Sequence, residues 1–403
     1  MTANAMRRLL DRVGEALDGM GPFDSAAEEA DAHRHLLRLC SAGLDLFVER
    51  ADPARPLPTV WMSPTRKFLG DSPDTIYTTM PVSSAHSYAL TIKPGNAVYV
   101  GVVVYSRDEP GGPVRAVSSL VDTDMTTTDG TFEIAVGAGV APDDAGGLYL
   151  DDRSFWVMVR EYFSDPHDHQ AATITIERTD GAGIDGLPDP ADLAAGIDAA
   201  AVWICSQARA DAALYELVAF PEGSRVESDP DVEVSDDLVS LFYPTPDITY
   251  QGCRFTLDTD EQLALTFTPP ACRFWSVVVS TPWFESLEQR STPASINSAD
   301  AEMSEDGTVT GAVGVGVGGT VAGAVRGGHR HHGGLPDGVV ALGRGALAHG
   351  SGRAGVAADA GTDCQHVLLS PDRGIDRPVP VRPRQVTARQ TAADYSPWTG
   401  FAP

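Results

Sequence analysis

Two stretches of the chain share one pattern of apolar and polar positions. In the first, Tyr88, Leu90 and Ile92 alternate with Ala89, Thr91 and Lys93, Pro94-Gly95-Asn96 interrupts, and Val98 to Tyr105 is apolar apart from Gly101. This order predicts a half-buried strand, a turn and a strand buried on both faces. The second stretch opens at Leu263, 175 positions after Tyr88: Leu263, Leu265 and Phe267 alternate, Pro269-Pro270 punctuates, and Phe274 to Val279 forms the apolar run. The echo extends both ways. Pro73-Asp74 with Tyr77 is matched by Pro246-Asp247 with Tyr250, and Asp129-Gly130-Thr131 by Asp306-Gly307-Thr308. So long a period predicts a duplicated domain rather than a solenoid.

Further strands are expected at Thr131 to Val136, Phe155 to Phe163 and Thr173 to Glu177, separated by Gly, Pro and Asp clusters. Short strands punctuated in this way suggest a jelly-roll-like sandwich in each copy. Helical spacing is confined to Ala5 to Leu17, to Ala26 to Glu49, and to a segment after Asp189-Pro190 in which Leu193, Ile197, Val202, Ile204, Leu214 and Leu217 form a stripe. The expected fold is mainly β, an internally duplicated β-sandwich with a helical amino terminus and connector. Its parts are a helical segment over 1–55, a first sandwich over 56–180, a helical connector over 181–235, an incomplete second sandwich over 236–310, and an atypical Gly/Ala/Arg-rich tail over 311–403.

The chain has 403 residues, enough for two substantial cores, and no run of 18 apolar residues. The residues after Arg7 and Arg8 mix Leu9 and Leu10 with Asp11, Arg12 and Glu15, which is no signal-peptide core, so a cytoplasmic location is expected. Five cysteines at irregular spacing read as buried thiols rather than a metal site. A net charge of −27 argues against nucleic acid and anionic membranes as partners, because binding phosphate takes a basic field.

That charge is unevenly distributed. Residues 311–403 hold nine Arg, no Lys, six Asp and no Glu, a net of +3, which leaves 20 basic against 50 acidic residues, or −30, before them. Nineteen of the 40 glycines also lie in this tail. The first copy continues to a strand opening Asp151-Asp152-Arg153-Ser154-Phe155-Trp156, whose counterpart is due near residue 328, where the chain instead reads Gly-His-Arg-His-His-Gly-Gly-Leu-Pro-Asp-Gly. Written in GC-rich codons and read one nucleotide later, that segment becomes Asp-Thr-Gly-Thr-Thr-Glu-Gly-Phe-Leu-Thr, a plausible strand approach. The tail therefore reads as an out-of-frame translation, expected to be poorly ordered, and His329, His331 and His332 as no metal site.

Gly70-Asp71-Ser72-Pro73-Asp74 with Tyr77, then Cys272-Arg273-Phe274-Trp275-Ser276-Val277 with Trp283-Phe284-Glu285-Ser286-Leu287, Arg290 and Ser295-Ile296-Asn297, resemble the bacterial family catalogued as domain of unknown function 1214, related to the 1254 family. The resemblance spans roughly residues 30 to 310. It implies a double jelly roll and carries no activity. The family's usual closing segment, an Asn-Trp-Leu-Asp-Thr-like stretch and a last Arg-Trp strand, is missing in frame here.

Signatures of serine hydrolases, phosphate loops and zinc peptidases are absent from the sequence, and no cofactor is expected. His33 and His35 are expected to be surface polar residues on a helix, and His167 with His169 a solvated turn. Asp71, Asp74 and Tyr77 are the catalytic candidates, as a ligand-binding or general-base set; the alternative is that the two Asp side chains cap local backbone. Arg273, Trp275, Trp283, Glu285, Arg290 and Asn297 are ligand-binding candidates. Arg273 either pairs with Glu285 or Asp258 or anchors an anionic or carbonyl group over an aromatic wall. Trp275 is expected to be mostly buried. Two functions stay open: a binder of a hydrophobic small molecule, with or without cofactor-independent catalysis, and a non-catalytic assembly protein using jelly-roll surfaces; a homo-oligomer is compatible with either. If the tail is out of frame, limited proteolysis with intact-mass readout trims the chain to near Thr310. Protection of the tail equal to that of the first 300 residues would refute the frame reading.

Overall fold

The computed structural model of the chain describes residues 1–23, 25–165, 167–181, 189–217, 240–255, 262–269, 272–287, 295–299, 301–315, 321–325 and 364–371. The order begins with α1 (Thr2–Asp18) and α2 (Ala26–Leu44), which runs on into a π-helical turn at Asp45–Glu49. The first β region follows: β1 (Thr59–Val60), β2 (Thr75–Pro81), β3 (Ser87–Lys93), β4 (Tyr99–Arg107), β5 (Val114–Val121), β6 (Thr127–Thr128), β7 (Thr131–Gly137), β8 (Gly147–Leu148), β9 (Ser154–Tyr162) and β10 (Thr173–Arg178). Helix α3 (Pro190–Leu217) precedes the second: β11 (Ile248–Phe255), β12 (Gln262–Phe267), β13 (Phe274–Val279), β14 (Ser295–Asn297), β15 (Val309–Val315), β16 (Val321–Val325) and β17 (Cys364–Pro371). Most of the expected tail, including His329, His331 and His332, lies outside the described residues.

The first β region forms two sheets, one in the order β1-β2-β9-β4-β5, the other β10-β3-β7-β6 with β8 beside β7. Apart from the parallel β7–β8 pair, their ladders are antiparallel. Strand β3 alternates as its sequence predicts: Tyr88, Leu90 and Ile92 are buried while Ala89 and Lys93 face solvent. The continuous apolar run of β4 has a different cause. Val100, Val102 and Val104 join Leu90, Ile134, Val157 and Val159 between the two sheets. Val103 and Tyr105 point the other way, toward Trp61, Trp203 and the helices, with Trp156 and Met158 of β9 beside them. The first sheet is thus covered on both faces, by a second sheet and by a helical layer.

The helices are placed by local signals. Ser25 Oγ accepts from Glu28 N at 3.2 Å, which caps α2, and Asp189 Oδ1 accepts from Ala191 N at 2.7 Å just before Pro190 opens α3. Glycines set how closely they pack. A Cβ at Gly43 would lie 2.8 Å from the Ile204 side chain, and one at Gly196 would lie 2.2 Å from the Phe47 carbonyl oxygen. Leu193, expected on the buried stripe of α3, lies instead at its outer edge, 40% exposed, whereas Ile197 and Ile204 are buried. Among the described cysteines, Cys40, Cys205 and Cys272 are free thiols.

The second β region has sheets ordered β11-β17-β13-β14 and β12-β15-β16. Strand β13 is buried along its whole length, Trp275 included. Strand β17 runs parallel to both of its neighbours. Tyr99 and Tyr162 of the first region pack against Ile248 and Phe274 of the second.

Trp61 is the hub of the helix-facing core, with Phe68, Trp156 and Tyr243 edge-on at centroid distances of 5.1, 5.0 and 5.1 Å. Trp61→Ala, like Trp275→Ala, opens a large cavity and is expected to cost about 3 to 5 kcal/mol. Urea melting checks this, and a loss below about 1 kcal/mol at either position would place that ring outside the packed core.

Candidate functional site

Polar side chains gather where α2, α3 and the loop between β1 and β2 meet the segment after β13. His35, on the inner face of α2, is fully buried. Its Nδ1 lies 3.0 Å from Glu285 Oε1 and its Nε2 lies 2.9 Å from Asp211 Oδ2 of α3. The Trp283 ring stacks on the imidazole at 5.5 Å, and Arg38, one helical turn along α2, pairs with Glu285 Oε2. A neutral imidazole carries one N–H, so carboxylates at both nitrogens require a further proton in the cluster. Burial alone would depress the His35 pKa, but the hydrogen bonds and charges of Asp211 and Glu285 outweigh it and push it up to about 9. Burial also raises Asp211, against the pull of His35. The two shifts compete for one proton. We assign it to His35, because the imidazolium supplies both donors and leaves two cations facing two carboxylates.

Asp71 joins the junction through Ser286, the chain neighbour of Glu285. Its Oδ1 accepts from Ser286 N at 2.9 Å and its Oδ2 from Ser286 Oγ at 2.6 Å. Burial raises the Asp71 carboxyl, opposed by Lys67 and by the Ser286 hydrogen bonds. Lys67 Nζ donates to Ser286 O at 2.8 Å, Ser286 Oγ at 3.0 Å and Leu287 O at 2.7 Å, so its three N–H groups are spent. A lysine held in this way is an ammonium clamp, not a base for Ser286. Asp74 turns elsewhere: its Oδ1 accepts from Ser295 Oγ at 2.9 Å and from Asn297 Nδ2 at 3.4 Å.

The loops that meet here are held in unusual backbone conformations. Leu69 and Phe284 have φ of 55° and 52°, and Gly70 N donates to Phe284 O at 2.6 Å between them. Left-handed conformations at bulky residues cost on the order of 1 to 3 kcal/mol each and persist only when the surroundings fix them. Tyr243 is a third case at 54°; its carbonyl accepts from Arg160 Nη2 at 2.7 Å and from the Tyr105 hydroxyl at 2.9 Å.

The sequence candidates therefore separate. Asp71, Trp283 and Glu285 meet at one junction, and Asp74 meets Asn297 at a second. Tyr77 faces Arg160, whose guanidinium lies 5.9 Å from its ring. Both Asp side chains reach across to the second β region. Arg273 is corrected: it pairs with Asp122 at 2.7 and 2.9 Å, donates to Val98 O at 3.1 Å and lies 5.4 Å from the Tyr99 ring, because the start of β13 packs on the first region. Glu285 is occupied by His35 and Arg38. His35 is likewise corrected from surface to core; Ala32, Leu36 and Leu39 at helical spacing already set it on the buried face. Asp211 and Lys67 carried no motif, and Ser286 stood within the Trp283-to-Leu287 motif without a role assigned to it. Arg290 and Asp258 lie outside the described residues, among which no group of three or more His, Cys, Asp or Glu side chains is placed to hold a metal ion.

A cavity of about 360 Å³, open to solvent, lies beside Arg38, between α2 and the turn after Trp61. Arg34, Leu37, Arg38 and Ser41 line one wall and Pro64, Thr65 and Arg66 the other. No helix among the described residues is long and apolar enough to cross a membrane.

No family model matches the chain, and no curated protein matches it. An uncharacterised protein from Burkholderia cenocepacia, known from a crystal structure, is similar at 25% identity and a TM-score of 0.66, over 79% of this chain and 87% of that one. The VPA0106 protein from Vibrio parahaemolyticus aligns at 12% identity and a TM-score of 0.40, over 72% of this chain and 88% of that one.

The raised His35 pKa has a defined sign. A group whose pKa is raised from 6.5 to about 9 on folding stabilises the fold fully below pH 6.5 and loses that contribution as pH rises through 9. His35→Gln is expected to cost about 3 to 5 kcal/mol at pH 6, because it removes the cation shared by Asp211 and Glu285 and leaves only Arg38 to neutralise the pair. The gap from the parent chain should narrow toward pH 9.5. Thermal melting of both proteins across that range measures it, and a gap independent of pH would mean that His35 is neutral in the fold.

Proposed function

We propose that the protein binds a small molecule on a duplicated, jelly-roll-like framework of the kind its motifs resemble in the domain of unknown function 1214 family, and that the buried polar junction holds that framework together without performing acid–base chemistry. Strand order supports the duplication. The neighbours β2-β9-β4-β5 in the first region have the sequence-matched counterparts β11, β13 and β14 in the second, with β17 in the place of β9, and β3–β7 is matched by β12–β15. Polarity is the exception. β9 is antiparallel to β2 and β4, while β17 is parallel to β11 and β13. A slot built for an antiparallel strand and filled by a downstream segment of opposite direction is what a lost reading frame leaves behind, so the frame reading of the tail belongs to the same proposal.

The cavity beside Arg38 carries the functional reading. Polar donors and apolar surface converge there at a volume suited to a small ligand, whereas Asp71, Asp74 and Tyr77 are engaged in separate buried contacts. Thermal-shift screening of the full chain against a metabolite library is expected to find compounds that raise the melting temperature saturably. Pro64→Trp, which fills the cavity, should abolish the shift, and Asp71→Asn and Asp74→Asn should retain it. Turnover of any such compound that disappears in Asp71→Asn would overturn the reading in favour of an enzyme.

A further inference from the structure

We propose that the cavity between α2 and the Ser63–Arg66 turn is an oxyanion site, taking a small organic phosphate or carboxylate whose apolar part rests on Leu37 and Pro64; this inference rests on the small-molecule reading above and names its ligand class. Three of the seven lining residues are arginines, two carry hydroxyls and none is acidic. That composition runs against the chain, in which acidic residues outnumber basic ones by 56 to 29. It also follows from helix geometry: Arg34, Leu37, Arg38 and Ser41 stand at i, i+3, i+4 and i+7 and so form a single stripe along α2.

The donors of this stripe are largely unspent. Arg38 donates to Glu285 through Nη1 alone, which leaves its Nε and Nη2 hydrogens without a partner among the described residues. Ser41 Oγ likewise has no partner among them. Arg34 makes one ion pair, to Asp31 at 3.4 Å, with both side chains more than half exposed, an interaction weak enough to yield to a ligand. Arg66 is the fixed point: its Nε donates to Trp61 O at 2.8 Å, its Nη2 to Val60 O at 2.8 Å and its Nη1 to Asp45 Oδ2 at 2.7 Å. Asp45 is shared with Arg50, at 2.8 and 2.7 Å. The cationic wall is therefore anchored from behind by carboxylates that lie outside the lining. Guanidinium forks match the paired oxygens of phosphate and carboxylate. Leu37, 69% exposed at the rim, is an apolar surface that a ligand's hydrocarbon part would cover.

Isothermal titration of the purified full chain with hexyl phosphate, hexanoate, inorganic phosphate and hexanol tests the assignment. Saturable binding is expected for hexyl phosphate, hexanoate or both, with inorganic phosphate weaker for want of the apolar part and hexanol at least about tenfold weaker, the cost of losing one charge-assisted hydrogen bond. The stronger of the two organic anions identifies the head group. Arg34→Gln should weaken the anion about tenfold and Ser41→Ala severalfold, with melting temperatures unchanged, since neither side chain is buried. Hexanol binding as tightly as the anions, or Arg34→Gln leaving anion affinity intact, would overturn the oxyanion assignment while leaving a small-molecule site. Silence from all four probes, combined with a library screen that finds no ligand sensitive to Pro64→Trp, would overturn both.

Discussion

The fold depends on how charge is neutralised where three segments distant in sequence converge. His35, Asp211 and Glu285 come from α2, α3 and the loop after β13, and each would be costly to bury alone. Together with Arg38 they make two cations and two carboxylates in direct contact. His35 bridges the two carboxylates and Arg38 holds the second of them, so the two helices and the second β region must arrive in one arrangement. Lys67, Asp71 and Ser286 repeat the logic between the loop before β2 and the same downstream loop, and Asp74 with Ser295 and Asn297 repeats it again. Polar pairing of this kind adds little net stability over an apolar core, but it is selective about geometry.

Around these contacts the apolar core divides into two layers. The first sheet uses one set of alternate residues against its partner sheet and the other toward the helical layer, in which α1 packs on α3. Being closed on both sides, it cannot present its own face to a ligand. Among the described residues, one open space lies at the margin of the helical layer, where α2 passes over the turn at Pro64. Arg38 belongs to both settings, because it closes the buried charge cluster and lines the cavity. A ligand there would act on the electrostatics of the junction without entering it.

The backbone carries the same division of roles. Leu69 and Phe284, both in left-handed conformations, face one another through the Gly70-to-Phe284 hydrogen bond, and the polar contacts of Asp71 and Glu285 follow directly on them. The strained turns aim side chains across the boundary between the two β regions. Asp71 and Asp74, three residues apart in sequence, consequently serve different partners.

Alternation and composition alone determined the local architecture: the half-buried β3, the apolar β4 and β13, the helices before β1 and after Asp189, and the burial of Trp275. These are period and capping effects, read within a window of a few residues. Partner identity needed the tertiary structure. Arg273 chose Asp122 over Glu285 because β13 starts against the first region, and no spacing in the chain encodes that distance. His35 lay on an apolar stripe, yet what made it tolerable there was a pair of carboxylates 176 and 250 residues away. The arginine-lined cavity was invisible for the same reason: Arg34, Arg38 and Ser41 read as an ordinary polar helix face until the turn at Pro64 is brought opposite them.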